Sequence, residues 1–588
     1  MSGVSLAALF SSLLPMPFQP TPTAVPGVDL HRGAATAAAG RVLTPDALAL
    51  VASLHRALDA DRRALLAARD DRQAAWDAGA LPQRVTTPEA AADWRVAPLP
   101  ADLLTRRVEI TGPVNDPRMV VNMLSRGPDG HRADAAMLDF EDSLKPSWGN
   151  VMAGVENVAA AARGDLSAVK TDADGAVVKT YALDPDDMPV MMVRVRGLHL
   201  AESNVRVDGE PVAAGLLDLA LCAAHSVAAL QARGLTPAYY VPKVEHHTEA
   251  RWWDRLFSLV EDGLGLDRST LRATFLIETL PAALQMEAVL YEIRDHAAGL
   301  NGGRWDKIFS DIKCLRSHPD RVLADRATIG MNRPWMRDYA RELIQVCHRH
   351  GAFAMGGMAA FTPGRDAERR EEQTAKVVAD KEFEASIGHD GCWVSHPYFI
   401  GPALQPFLDA LAGARNQLGV VPDLDAPDLM PQGGGPYTMD GLRTNVRVGI
   451  AYLKGWNEDV GCVAWDDLME DLATLEISRA QTFQWRAQAV TLESGEAVTD
   501  ALVAEVFEQE AARIADELAD AFAAPGQALD AERAAYARAA DDARAVFLEA
   551  EMRPFLALAS DLAPVPPAAP HGDGASVEAV PTTARPAA

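Results

Sequence analysis

Cysteine is scarce: the 588 residues hold five, Cys222, Cys314, Cys347, Cys392 and Cys462. Their number is odd, no two are close, and no Cys-x-x-Cys occurs. That pattern excludes a disulfide framework and a zinc ribbon, and suits a reducing, cytoplasmic setting. Positive charge is also short. The chain carries 55 Lys and Arg against 82 Asp and Glu, a formal charge of −27. Nucleic acid and anionic membrane are excluded as main partners, because both need a basic face. An anionic substrate would need a local cluster of Arg, Lys or metal. No apolar run approaches the roughly 18 residues that suggest a membrane helix. Ser5 to Leu14 is mildly apolar, but no Lys or Arg precedes it, so no signal peptide is expected. The tail ends Arg-Pro-Ala-Ala, not the Ser-Lys-Leu peroxisomal address. Internal repeats are lacking.

Apolar residues make up 48% of the chain, enough for a large core. Residues 1–40 are rich in Pro, Ala, Gly and Thr and predict a disordered extension. Across 41–104 the pattern becomes helical. Thr44-Pro-Asp-Ala is a helix start, and Leu50, Leu54, Leu58 and Leu65 follow at near-helical spacing. Over 105–412, short apolar runs alternate with helical stretches. The expected strands are Val108–Thr111, Ala136–Phe140, Val190–Val195, Ala238–Val241, Ala273–Ile277, Ala297–Leu300, Ala352–Met355 and Cys392–Val394. Eight such units predict an α/β fold, a closed (β/α)8 TIM barrel. Residues 413–438 read as a linker, 439–560 as an all-helical domain, and 561–588 as a disordered tail.

Barrel enzymes place chemistry at the C-terminal ends of strands. After the second run come Glu141 and Asp142, a solvated strand end or an acidic group that orients a cation. After the third comes Arg196-Gly197. By strand alternation Arg194 and Arg196 share a face. Arg196 suits a carboxylate or a developing oxyanion, or else a salt bridge to a neighbouring acid. Glu278 follows the fifth run. Asn301-Gly-Gly-Arg-Trp-Asp306 follows the sixth. Two carboxylates on adjacent strand ends fit Mg2+, which takes hard oxygen ligands, although such pairs also occur as plain surface charge. Leu468 to Arg479 reads as a helix with Asp471, Thr474, Leu475 and Ser478 on one face, by itself an ordinary amphipathic helix. Glu245-His246-His247 and His348-Arg-His350 lack metal-ligand spacing and read as polar clusters at the surface or behind a site. Cys462 reads as a structural thiol.

Together these segments resemble malate synthase of the shorter, A-type form. The most specific block is Arg294-Asp-His-Ala-Ala-Gly-Leu-Asn-Gly-Gly-Arg-Trp-Asp-Lys-Ile-Phe309. Further blocks are Arg107–Pro113, Asp139–Asp142, Ile277–Ala283, Ala354–Phe361, and Met469 through Arg479, in the family's order over roughly residues 41–555. The resemblance implies the barrel, an N-terminal helical clasp, and a C-terminal helical domain over the barrel mouth. It implies Mg2+-dependent condensation of acetyl-CoA with glyoxylate, then hydrolysis to malate and CoA, in the glyoxylate bypass. By the same resemblance Arg196 is the active-site arginine, Asp471 the base, and Glu278 and Asp306 the Mg2+ ligands. Gly303, Arg304, Trp305 and Asp306 lie at glyoxylate, with Glu141 and Asp142 behind the metal. A homo-oligomer is compatible. Three positions depart from the pattern: Lys307 for Tyr, Leu198 for Trp and Val195 for Pro. They leave room for another 2-oxo acid, and a non-catalytic paralogue is the reading of a different class.

Overall fold

The computed structural model describes residues 18–556, apart from 128, 173 and 522–525. The expected tail over 561–588 and the first part of the expected extension lie outside these residues. Eight parallel strands close a barrel in chain order: β1 (Val108–Pro113), β2 (Ala135–Asp139), β3 (Val190–Arg194), β4 (Ala238–Val241), β5 (Arg272–Leu276), β6 (Ala297–Asn301), β7 (Phe353–Ala359) and β8 (Gly391–Val394). Every expected strand is present. β1, β2 and β3 are buried throughout. Burial on both faces is why they read as continuous apolar runs. β6 is poor by propensity, yet its small residues serve packing. A Cβ on Gly299 would come 2.4 Å from the carbonyl oxygen of Phe353, so glycine lets β6 and β7 meet closely.

Residues 20–40 differ from the expected disordered extension. Pro20–Pro22 and Val28–His31 join Ala201–Val207 and Glu210–Ala213 in a four-stranded antiparallel sheet. Val28, His31, Ala34 and Ala39 are buried. Residues 28–30 pair with residues 175 to 179 positions away, so no local pattern announces the pairing.

Helix α1 (Pro45–Asp77) starts where Thr44 accepts a hydrogen bond from the Ala47 amide. It lies along the barrel's outer helices and supports two loops at the barrel mouth. Arg62 donates to the carbonyls of Leu198 (2.7 Å) and Leu200 (3.0 Å). Arg69 donates to the Lys243 carbonyl at 2.8 Å and forks onto Glu249. The helix Ala214–Ala232 is long and apolar enough to cross a membrane, but 72% of that stretch is buried within the fold. It is a core helix of the barrel's outer layer.

Helix α2 (Trp305–Leu315) follows β6. The C-terminal domain packs α3 (Met439–Asn457), α4 (Leu472–Ala487), α5 (Asp500–Ala521) and α6 (Gln527–Phe547) around Leu442, Val446, Trp485, Phe507 and Phe547. A separate apolar cluster joins it to the barrel: Ile308, Phe309 and Ile312 of α2 meet Ile477 and Ala480 of α4. Backbone bonds reinforce the seam, from Leu472 N–H to the Asp142 carbonyl (3.1 Å) and from Met469 N–H to that of Ala360 (2.8 Å).

The His296 of the signature block sits just before β6, away from the mouth. Its Nδ1 lies 2.7 Å from Asp254 and its Nε2 3.1 Å from Glu261. Burial lowers its pKa, but the two carboxylates outweigh that and raise it to about 9. A raised folded pKa contributes stability that is full below the unfolded value of about 6.5. That contribution is lost as pH rises through about 9. It amounts to about 3 kcal/mol. Urea titrations of wild type and His296→Gln should therefore differ most near pH 6 and much less above pH 9.5. An equal gap at both pH values would refute the charged imidazole.

Candidate active site

The C-terminal ends of β2, β3, β5 and β6 and the start of α4 enclose one small chamber. Asp142, Arg194, Glu278, Gly303, Trp305, Asp306 and Asp471 line it, with Thr111 and Trp393. Its volume is about 60 Å3. A cavity needs about 10–15 Å3 on such a measure to hold one water. The chamber therefore suits a ligand of a few heavy atoms. An outer cavity of about 500 Å3 adjoins it, sharing Thr111, Ser143 and Met469, and is lined also by Ile110, Met119, Arg126, Lys179 and Cys462.

Glu278 and Asp306 both reach the chamber, as expected. Glu278 accepts the Lys243 amide at 2.8 Å. Burial, then the charge of Asp306, pushes its carboxyl up to about 8. Gly303 presses against it: a Cβ there would stand 3.0 Å from that of Glu278 and 3.1 Å from its Oε2. Asp306 is the second residue of α2, and its Oδ1 lies 3.2 Å from Lys243 Nζ. Glu141 and Asp142 are buried beside it, bridged by the same ammonium at 2.9 and 2.8 Å. Lys243 holds a left-handed backbone (φ 52°), secured by Arg69 on its carbonyl. Sequence reading passes over Lys243, although Val241-Pro-Lys243 stands at the end of a barrel strand like the other candidates.

The residues fit a divalent cation. The donors are hard carboxylate oxygens; Asn301 Oδ1 is buried without a hydrogen-bond partner, and Asp306 Oδ1 and Glu141 Oε2 meet only the Lys243 ammonium and the Arg194 guanidinium, at 3.2 and 3.4 Å. Among the described residues no three His, Cys, Asp or Glu side chains converge as a full cage. Two protein carboxylates completed by water and substrate oxygens is the pattern Mg2+ favours over an all-protein site.

The arginine assignment is corrected. Arg194, not Arg196, faces the chamber. Asp139 holds its guanidinium from behind through two bonds, at 2.6 and 2.5 Å, and its Nη1 points toward Glu141 and Asp142 at 3.4 Å. Arg196 is spent elsewhere. Its Nε and Nη2 bind Asp218 at 2.9 and 2.7 Å, and its Nη1 binds Glu202 at 3.0 Å. Alternation would place both arginines on one face, but β3 ends at Arg194.

Asp471 reaches the chamber from the other domain, but not from within a helix. Leu468–Glu470 is a strand paired with Val463–Trp465, and α4 begins at Leu472. Asp471 is the helix N-cap: it accepts the Thr474 amide, and Thr474 Oγ1 accepts the Asp471 amide at 2.9 Å. Burial, then the charges of Asp142 and Asp306, holds its carboxyl well above the usual range. A carboxylate so placed is a stronger base than one in water.

The departures sit outside the chamber. Lys307 is buried and pairs with Asp311 one turn along α2, near the Tyr339 ring. Val195 donates its amide to the Tyr240 carbonyl at 3.2 Å, a bond proline could not make. Leu198 is buried, and its carbonyl is held by Arg62. Glu245 pairs with Lys313, and His348 with Asp390, as structural contacts. Cys462 lines the outer cavity, its thiol pushed up to about 12 by burial and the Asp471 charge.

Residues 31–89 match the family model of the malate synthase N-terminal domain, 190–430 that of its TIM barrel domain, and 436–561 that of its C-terminal domain. Malate synthase A of Escherichia coli (strain K12) is 43% identical over 499 residues, 84% of this chain and 91% of the relative. Malate synthase of Myxococcus xanthus is 44% identical over 481 residues, 81% of this chain and 87% of the relative. The glyoxysomal malate synthase of Glycine max is 41% identical over 506 residues, covering 84% and 88%. The barrel with its acid-lined chamber and the helical domain closing it therefore go with a plain conclusion: this chain belongs to the malate synthase family, which are acyltransferases.

Proposed function

We propose that the chain condenses acetyl-CoA with glyoxylate, with Mg2+, and hydrolyses the resulting malyl-CoA to malate and CoA. The observation that carries the reading is the meeting of Glu278, Asp306, Arg194 and Asp471 in one chamber sized for a small acid. The outer cavity suits the long arm of a CoA ester, with Lys179 at its wall for a phosphate, while Arg126 there is forked onto Asp187. Its shared wall at Thr111, Ser143 and Met469 would bring the acetyl group to Asp471.

Asp471 takes a proton from the acetyl methyl group, breaking a C–H bond. Arg194 faces the oxygen on which the negative charge collects, and its bonds to Asp139 keep it oriented. The amides of the first turn of α2 have no helical acceptor and suit the glyoxylate carboxylate. When bound at Glu278 and Asp306, Mg2+ would polarise glyoxylate as a Lewis acid. The methyl carbon then bonds to the aldehyde carbon as the C=O π pair moves onto oxygen, which takes up a proton to become the malyl hydroxyl. Water adds to the thioester carbonyl, the C–S bond breaks, and CoA leaves as the thiol. The five cysteines are free thiols, in keeping with the cytoplasmic location we infer; the glyoxylate bypass role is inferred from the proposed reaction alone.

The test is CoA release from acetyl-CoA and glyoxylate. Wild type should turn over with Mg2+, stop in excess EDTA, and recover on adding Mg2+. Glu278→Gln should raise the Mg2+ needed for half-activity at least tenfold. Turnover unaffected by EDTA would exclude the metal, and no CoA release at all would exclude the substrate pair.

A further inference from the structure

The chamber is lined mainly by carboxylates, yet its proposed small substrate is itself an anion. Asp142, Glu278, Asp306 and Asp471 line it, with Glu141 and Asp139 close behind, and Arg194 and Lys243 are already bound to these acids. Neither can offer an entering carboxylate an undivided positive charge. Two other guanidiniums are differently placed. Arg304 lies over the Trp305 ring at 4.3 Å from its centroid, and Arg326 at 5.4 Å. Trp305 is a wall of the chamber. Among the described residues no hydrogen bond and no ion pair is made by either guanidinium. Arg326 is 7% exposed, and its guanidinium has no direct partner among the described residues. Asp380 faces Arg304, and Glu470 and Asp325 face Arg326, all beyond ion-pair distance.

Arg304 also lines a narrow crevice with Gly356, Gly357 and Asp380. That crevice shares Gly302 and Met358 with the chamber, and shares no lining residue with the outer cavity. Arg304 therefore stands next to the chamber on the side away from the outer cavity.

We propose that Arg304 and Arg326, stacked on Trp305, form a cationic collar that draws the small 2-oxo acid into the chamber by its carboxylate. An Arg fork matches a carboxylate in geometry as well as charge. Stacking on the indole holds the guanidiniums in place without neutralising them. Distant surface charge is screened at ordinary ionic strength, so the carboxylates lining the chamber are what repel an entering anion, and a local positive patch offsets them. The collar acts on capture of the acid, not on proton removal.

The inference rests on the reading that one substrate is a small carboxylate, and the test separates the two. Steady-state kinetics of Arg304→Lys, Arg304→Gln and Arg304→Glu would be measured with glyoxylate and acetyl-CoA varied in turn, at several NaCl concentrations. KM for glyoxylate should rise in the order Lys, Gln, Glu, about tenfold for Gln and about a hundredfold for Glu. The kcat and the KM for acetyl-CoA should stay within about twofold. The salt dependence of kcat/KM for glyoxylate should flatten in the Gln variant. Arg326→Lys, with thermal melts alongside, covers the buried partner and should raise the same KM alone. An unchanged glyoxylate KM, or a uniform loss in all parameters that tracks the melting temperature, would overturn the collar. If wild type does not turn over glyoxylate, the functional reading fails. Calorimetric titration with oxalate, in wild type and Arg304→Gln, then still decides whether the collar holds a small carboxylate: equal affinity overturns it.

Discussion

Asp471→Asn should lower kcat about a thousandfold, the size of a lost general base, while the protein stays folded. Its place in the fold makes the substitution a clean one. Asp471 caps α4 and exchanges hydrogen bonds with Thr474. Asn ranks with Asp as an N-cap, and its amide oxygen can accept the same backbone N–H. The helix start therefore survives. What goes is the proton acceptor. The change also removes a buried negative charge that Asp142 and Asp306 repel, so the melting temperature should hold or rise slightly. CoA release and a thermal melt of the same preparation give both readouts. Retention of a tenth of wild-type turnover would sink Asp471 as the base. A fall of many degrees in melting temperature would mean that its role is structural.

The barrel was legible because its strands are buried on both faces and so appear as short apolar runs between helical stretches. Glu278 and Asp306 were legible for a related reason: each closely follows such a run. Features set by distant contacts were not legible. Residues 28–30 pair with 205–207, and the composition of the segment suggests no structure at all. The start of α4 carried a readable sign that was passed over. Asp471 followed by Thr474 can form a capping box, which places Asp471 before the helix instead of on its face. Lys243 stands two positions past β4, but a lysine at a strand end does not by itself announce that it will bridge Glu141, Asp142 and Asp306. The exchange between Arg194 and Arg196 has the simplest cause. Parity counting holds only while the strand lasts, and β3 ends at Arg194.

That exchange yields the sharpest test of the site, because two arginines separated by one residue should fail in opposite ways. Arg194→Lys keeps a positive charge near Asp139 but loses the fork that aims the remaining donors at the chamber. An oriented donor at a developing oxyanion is worth about 10² to 10³ in kcat, and the loss should appear there, with little change in glyoxylate KM. Arg196→Met leaves Asp218 and Glu202 buried without their cation. Breaking a buried pair from one side costs about 3–5 kcal/mol, so this variant should melt far below wild type or accumulate poorly. Arg196→Lys restores the charge and should recover much of the stability, with kcat per folded molecule within a few-fold of wild type. The two positions are thus told apart by which quantity moves. If Arg196→Lys lost turnover a hundredfold while Arg194→Lys stayed active, the chemistry would belong to Arg196, and the arrangement around β3 would have to change on substrate binding to release it from Asp218.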